Sequence, residues 1–499
     1  MVRSASLSCL MFVVAAASCG DNGTEPPIGP PGLTIVSGAG ANDTIDARLV
    51  QALVVEVHTP AGRGVPNAVV RFTSLSARRP DGWTTPGVLV GRLTDATLTS
   101  LVVDTTDANS RASALVQLGS VAGETGVEVT VPVLGLVDTA RYRVRPGATD
   151  SVALTPLDTA VYVGASYAIS GRTLDRHGNA TDGTVVLTVG DTTVAEVAAA
   201  SVTGRAYGRT AVVASSGPVR DTAWTSVVPT GVLAVTGYGG VIATVNLDGS
   251  GYRQIPVPRT YTGAGIAWAP DGSYLVAGFD DPRTLYRVTT DGGSTRLIAG
   301  AAPSVGEITA VDVSADGQET YFSAGYCNYN EVVYRVLGTD AYPVRVSAPV
   351  ADECFGLVQA NVSLSPDGAH AAVEHYGTPY DTPDVQILAL ASGVAEPLGL
   401  LGSHPRWSPR GDRIAYVGDN RVWVVSPDGT GLRAVSPFDA IFQPGLTWSP
   451  DGEWLVARYQ PISWNVTSSL VLLRVATGDV IPLPPSLAAL STPQWKPTP

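Results

Sequence analysis

Five stretches of the carboxyl-terminal half decide the fold. They are Trp268-Ala269-Pro270-Asp271-Gly272, Val313-Ser314-Ala315-Asp316-Gly317, Leu364-Ser365-Pro366-Asp367-Gly368, Trp407-Ser408-Pro409-Arg410-Gly411 and Trp448-Ser449-Pro450-Asp451-Gly452. Each joins two short apolar runs through a turn in which glycine accepts a positive φ and, in every copy but the second, where Ala315 stands, proline presets the φ before it. Successive copies are 45, 51, 43 and 41 residues apart. That period leaves room for four strands per copy, the signature of propeller blades.

The carboxyl end supplies a sixth copy cut short. Pro493-Gln494-Trp495-Lys496-Pro497 reads as a first strand with nothing after it, 47 residues beyond Trp448. The chain after Pro229 reads as a blade lacking a first strand: Gly231 to Thr236, Val241 to Asn246, Tyr252 to Val257. Joining the two ends makes a complete blade and removes two exposed sheet edges. The expectation is a six-bladed propeller over 229–499, closed by its carboxyl-terminal strand. This repeat resembles the propeller of TolB and related exported proteins. Nothing in the chain resembles the TolB amino-terminal domain.

Upstream, aliphatic and threonine-rich runs are cut every eight to twelve residues by turn residues, so the whole chain reads as all-β. In residues 33–145, Gly62 through Phe72 and Thr106-Asp107-Ala108-Asn109-Ser110-Arg111-Ala112 resemble signatures of bacterial Ig-like domains of the invasin and intimin type, with Ser110 where glycine is usual. In residues 146–228, Val202-Thr203-Gly204 and Gly208-Arg209-Thr210-Ala211-Val212-Val213-Ala214 resemble the second group of such domains. The resemblance implies two β-sandwich modules acting as a stalk.

The amino terminus reads as an export signal. Arg3 precedes an apolar run from Leu7 to Ala17, too short to span a bilayer, followed by Ala16-Ala17-Ser18-Cys19. That run resembles the bacterial lipoprotein signal, which implies cleavage after residue 18 and lipid on Cys19. Residues 19–32 would then be a Pro/Gly tether; its 13 residues from Gly20 reach about 40 Å at ~3.1 Å each. The expected location is the bacterial cell envelope or cell surface, with membrane contact through the anchor.

Charge excludes some functions. The 499 residues carry a formal charge of −13, and Lys496 is the only lysine. With no basic stripe, nucleic-acid binding is excluded. Of four cysteines, Cys9 leaves with the signal and Cys19 carries lipid. Cys327 and Cys354 are then expected to pair as a disulfide in an oxidising compartment.

First-strand side chains should alternate between inter-blade packing and the channel. Channel-lining candidates are Asp312, Asn361, His404 and Arg406, with Glu307 further up. Scattered ligands with a cation beside Asp312 make a poor metal site, so no metal or cofactor is expected. No Gly-x-Ser-x-Gly elbow occurs either. Loops on the opposite face concentrate Tyr326, Tyr329, Phe355, His375, Tyr376, Tyr380, Phe438, Phe442 and Trp464, a candidate face for a protein or glycan partner. The expected function is binding without catalysis; the alternative is a propeller hydrolase or lyase acting in the channel mouth.

Overall fold

The computed structural model describes residues 32–95, 97–237, 240–257, 265–280, 283–298, 308–327, 330–339, 341–347, 358–376, 382–437, 440–461, 468–488 and 490–498. These residues form strands and turns with two single-turn 3-10 segments. Among them, no helix is long and apolar enough to cross a membrane.

The chain divides into two compact units. One comprises residues 1–151 with 173–183, the other residues 152–172 with 184–499. In the first unit two sheets cover one core. The first sheet pairs Gly32–Ser37, Leu53–His58, Arg111–Leu118 and Val88–Gly91 in that order. The second orders Asn42–Thr44, Leu136–Arg145, Gly123–Val131, Val69–Ser74 and Leu101–Thr105. Alternate residues point inward, as a half-buried strand requires. Leu53, Val55 and Val57 meet Val70, Phe72, Val127 and Val129, all fully buried. The Thr173–Gly183 loop belongs to this unit. Asp175 in it accepts hydrogen bonds from the backbone N–H of Gly147 at 2.9 Å and of Asn179 at 3.0 Å.

The second unit opens with a smaller pair of sheets. Asp158–Tyr162, Val219–Val228, Gly208–Ser216 and Val186–Val189 form one; Ser166–Ala168, Ser201–Gly204 and Ala195–Ala198 form the other. Val202, Val212, Ala214 and Ala223 fill the space between them. This body packs directly on the propeller. Val228 and Ala160 share a buried cluster with Leu247, Leu483 and Leu487 of the propeller. Tyr207 packs edge-on against Trp454 at 5.4 Å, and the Ser226 hydroxyl donates to the Pro482 carbonyl at 3.0 Å.

Beyond Val228, four four-stranded antiparallel sheets and one eight-stranded sheet, whose two antiparallel halves meet where Asn330–Leu337 pairs in parallel with Val358–Leu364, form a β-propeller. Blade one takes its first strand, Ser491–Trp495, from the carboxyl terminus and pairs it with Val232–Gly237. The other first strands are Ile266–Trp268, Ile308–Val313, Val358–Leu364, Ser403–Trp407 and Ala440–Trp448. Consecutive first strands touch, and Ser491–Trp495 touches both Ala440–Trp448 and Ile266–Trp268.

The repeat turn works as its composition demands. Gly272, Gly317, Gly368, Gly411 and Gly452 all have φ between 66° and 78°. Each donates its N–H three residues back, as Gly368 does to the Ser365 carbonyl at 3.0 Å. The aspartate then braces the turn: Asp367 accepts from the Ala369 N–H at 2.9 Å and from the Ser365 hydroxyl at 2.5 Å. These bonds hold the carboxyl below its usual range, the serine contributing most. In blade five, Arg410 replaces aspartate, and Ser408 turns to Asp412 at 3.1 Å instead.

Candidate functional site

The first strands converge on a cavity of about 390 Å³ at the end of the channel that carries the Ser-Pro-Asp-Gly turns. Its wall is the ring one residue before the repeat tryptophan: Ala267, Asp312, Ser363, Arg406, Thr447 and Gln494. Its rim holds Trp268, Trp407, Trp448 and Trp495 with the turn prolines. Apolar residues two before the tryptophan, Ile266, Val311, Val362 and Leu446 among them, are buried. This is the alternation the sequence implied.

Several wall side chains act as stitches between blades. Asp312 accepts the Leu364 N–H of the next blade at 2.8 Å, and its other oxygen accepts the Val313 N–H at 2.8 Å. Ser363 accepts the Trp407 N–H at 3.0 Å, and Thr447 accepts the Trp495 N–H at 3.0 Å. The tryptophans add a second tie: Trp268 Nε1 donates to the Gln494 carbonyl at 3.1 Å and Trp448 Nε1 to the Arg406 carbonyl at 2.9 Å.

Asp312 and Arg406 are the charged residues of the wall. Both lie deep in the ring while still bordering the lumen. Burial pushes the Asp312 carboxyl above its usual range, opposed by its two N–H donors and by Arg406. Burial likewise draws Arg406 below its usual value, against the charges of Asp312 and Glu374.

Asn361 and His404 were expected on the same channel wall, but neither lines the cavity. Simple alternation fails three residues before the tryptophan because the first strands bulge there: Ala360 pairs with Glu374 and Ser363 with Ala372, leaving two residues opposite one. Asn361 and His404 have φ of 54°, a left-handed conformation uncommon for side-chain-bearing residues. Both are held by Glu374, a residue that sequence reasoning missed. Its carboxylate accepts from Asn361 Nδ2 at 2.7 Å, from the His404 N–H at 2.8 Å and from the Tyr376 hydroxyl. Glu374 is 1% exposed. The only hint in the sequence was a charged residue inside the apolar strand His370–Tyr376. His404 Nδ1 lies 3.7 Å from the same carboxylate, too far for a hydrogen bond.

The aromatic face is only partly described. Tyr329, Phe355, Tyr380, Phe438 and Trp464 lie outside the described residues, as do Cys19, Cys354, Glu307 and the Tyr326 and Cys327 side chains. The Cys327–Cys354 pairing therefore falls outside them too. The Cys327 backbone ends the strand Glu319–Cys327, opposite Asn330, rather than sitting in a loop. Phe442 is a correction: it is 4% exposed and packs in the blade-six core, 5.8 Å from Tyr459. The first strand of that blade runs from Ala440, farther upstream than the repeat signalled, and carries Phe442 inward. His375 and Tyr376 are half-buried and tied to acids, His375 Nδ1 to Asp384 at 2.8 Å.

Among the described residues, no group of three or more His, Cys, Asp and Glu side chains is placed to hold a metal ion. No protein-family model matches the chain, and no curated protein matches it. Solved structures with a similar fold are β-propellers of the TolB kind and others. TolB from Acinetobacter baumannii is 15% identical, over 63% of this chain and 83% of that one, at a TM-score of 0.44. The nidogen/laminin complex is 12% identical over 53% and 98%, at 0.41. An oligogalacturonate lyase in complex with manganese is 16% identical over 51% and 72%, at 0.34. No substrate, metal or partner follows from these likenesses.

Proposed function

We propose that the chain is an exported, lipid-anchored binding protein of the bacterial envelope, without catalytic activity. Cys19 carries the lipid, the sandwiches are Ig-like modules, and the propeller presents the ligand site. The observation that carries this reading is the cavity over the Ser-Pro-Asp-Gly turns. It is concave, rimmed by four tryptophans and walled by a few polar groups, which is the composition of a recognition site. The aromatic loops of the opposite face are a second contact region for a protein or glycan. The chemistry present favours holding over reacting. The best-placed acid, Glu374, already accepts three hydrogen bonds and anchors two strained strand bulges.

Two variants test the reading separately. Cys19→Ala should move the protein from the membrane to the soluble fraction; continued membrane attachment would remove the anchor. Gln494→Trp should plug the cavity without breaking a stitch, since among the described residues the Gln494 side chain makes none, and should abolish ligand binding while the protein still melts cooperatively. Undiminished binding by the plugged chain would move the site to the loops.

A further inference from the structure

At three of the six wall positions, the residue before the repeat tryptophan ties its blade to the next. Asp312, Ser363 and Thr447 each offer an oxygen to the N–H that follows in the next blade. Arg406 occupies the equivalent position in blade five and can only donate. It therefore cannot make the stitch, and the ring carries a half-buried cation at a position where Asp312, Ser363 and Thr447 carry acceptors. Local rules broken without local compensation mark function.

The guanidinium is not consumed elsewhere. Among the described residues its one side-chain hydrogen bond is from Nη1 to the adjacent Pro405 carbonyl at 3.0 Å. No carboxylate stands within ion-pair distance among those residues. Asp312, the other charge on the wall, has both oxygens engaged by backbone N–H groups. The planar fork of Arg406 is thus left bordering a cavity of about 390 Å³, room for a few residues or sugar units. Such a fork pairs with a carboxylate through two parallel hydrogen bonds, at a strength that water-exposed pairs lack.

We infer that the cavity binds a carboxylate-bearing ligand, with Arg406 receiving the carboxylate and the tryptophan rim packing on the group behind it. This rests on the reading of the cavity as the ligand site. The same chemistry is offered by a peptide carboxyl terminus and by an acidic sugar.

The test is calorimetric titration of the full mature chain with two matched pairs of probes. One pair is a free tripeptide and its carboxyl-terminal amide; the other is a uronic-acid trisaccharide and its methyl ester. At least one acid should bind, on the order of tenfold to a hundredfold tighter than its neutral partner, and the pair that responds identifies the source. Arg406→Gln should erase that preference. Arg406→Lys, which keeps charge but loses the fork, should retain part of it and controls for folding. Neutral probes binding as well as the acids would overturn the carboxylate assignment while leaving the cavity as a binding site. If no probe of either kind binds, the assignment fails together with the cavity reading. A preference that survives in Arg406→Gln would place the carboxylate elsewhere.

Discussion

Leu233 and Trp495 stand opposite each other on paired antiparallel strands, although they come from the two ends of the propeller sequence. The Trp495 N–H is also tied to Thr447 of blade six, and the Lys496 N–H donates to the Val232 carbonyl at 2.8 Å. Deleting residues 491–499 should therefore strip blade one of its inner strand and expose two edges. Calorimetry should show loss of cooperative melting of the second unit, or aggregation. A truncated chain that melts like the parent would make these residues a dispensable tail.

The same junction makes Gly231 a sensitive position. A Cβ there would lie 2.6 Å from Trp495 Nε1 and 2.8 Å from its Cε2, closer than real atoms approach. Because Trp495 is packed on both sides, Gly231→Ala should cost about 1–3 kcal/mol as an overpacking change. Denaturant titration checks it, and an unchanged midpoint would mean that the indole shifts freely.

Tyr207 reaches from the smaller sandwich to Trp454 of blade six. Tyr207→Ala removes an edge-on aromatic contact worth about 0.5–1.5 kcal/mol beyond its buried area. The sandwich should become more accessible to protease while the propeller keeps its melting temperature. Equal protease resistance in the two proteins would show that Leu247, Leu483 and Leu487 hold the sandwich alone.

His404 gives a pH dependence with a definite sign. Burial draws its pKa below the ordinary value of 6.5, opposed by Glu374 and aided by Arg406. The unfolded chain then binds a proton more readily than the folded one, so the neutral imidazole contributes stability above about pH 6.5. That contribution is lost as the pH falls below 6.5 toward the depressed value. The melting temperature should decline over this window, and His404→Gln should flatten the decline. A variant with the parent's slope would show that other groups set it.

Glu374 holds Asn361 and His404 in their left-handed conformations. Glu374→Leu would leave those half-buried donors without their acceptor, at about 1 kcal/mol each, a loss that denaturant titration of the propeller should register. Glu374→Gln keeps one acceptor oxygen and should recover part of it. If the leucine variant unfolds at the parent's midpoint, the bulges need no brace.

Much of this was legible in the chain because turn chemistry is local. Proline and glycine at fixed offsets specify the hairpin wherever they occur, so Trp268 and its repeats announced the blades and Trp495 announced the join. The wall of the cavity followed from period-two alternation. What alternation could not carry was a bulge, since an inserted residue changes the register, and this gives Asn361 and His404 their left-handed backbone. Glu374 was hidden for a related reason: its partners come from two blades, and no sequence spacing records a contact made by the ring. Phe442 was misplaced because a long first strand and a loop look alike when prolines and aromatics alternate.

The most direct measurement of the central claim, that the turn-side cavity is the ligand site, is native mass spectrometry of the protein isolated from the cells that produce it. The parent should carry a bound small-molecule mass that is absent from Gln494→Trp purified in the same way. A parent with no adduct, or an adduct kept by the plugged chain, would contradict it.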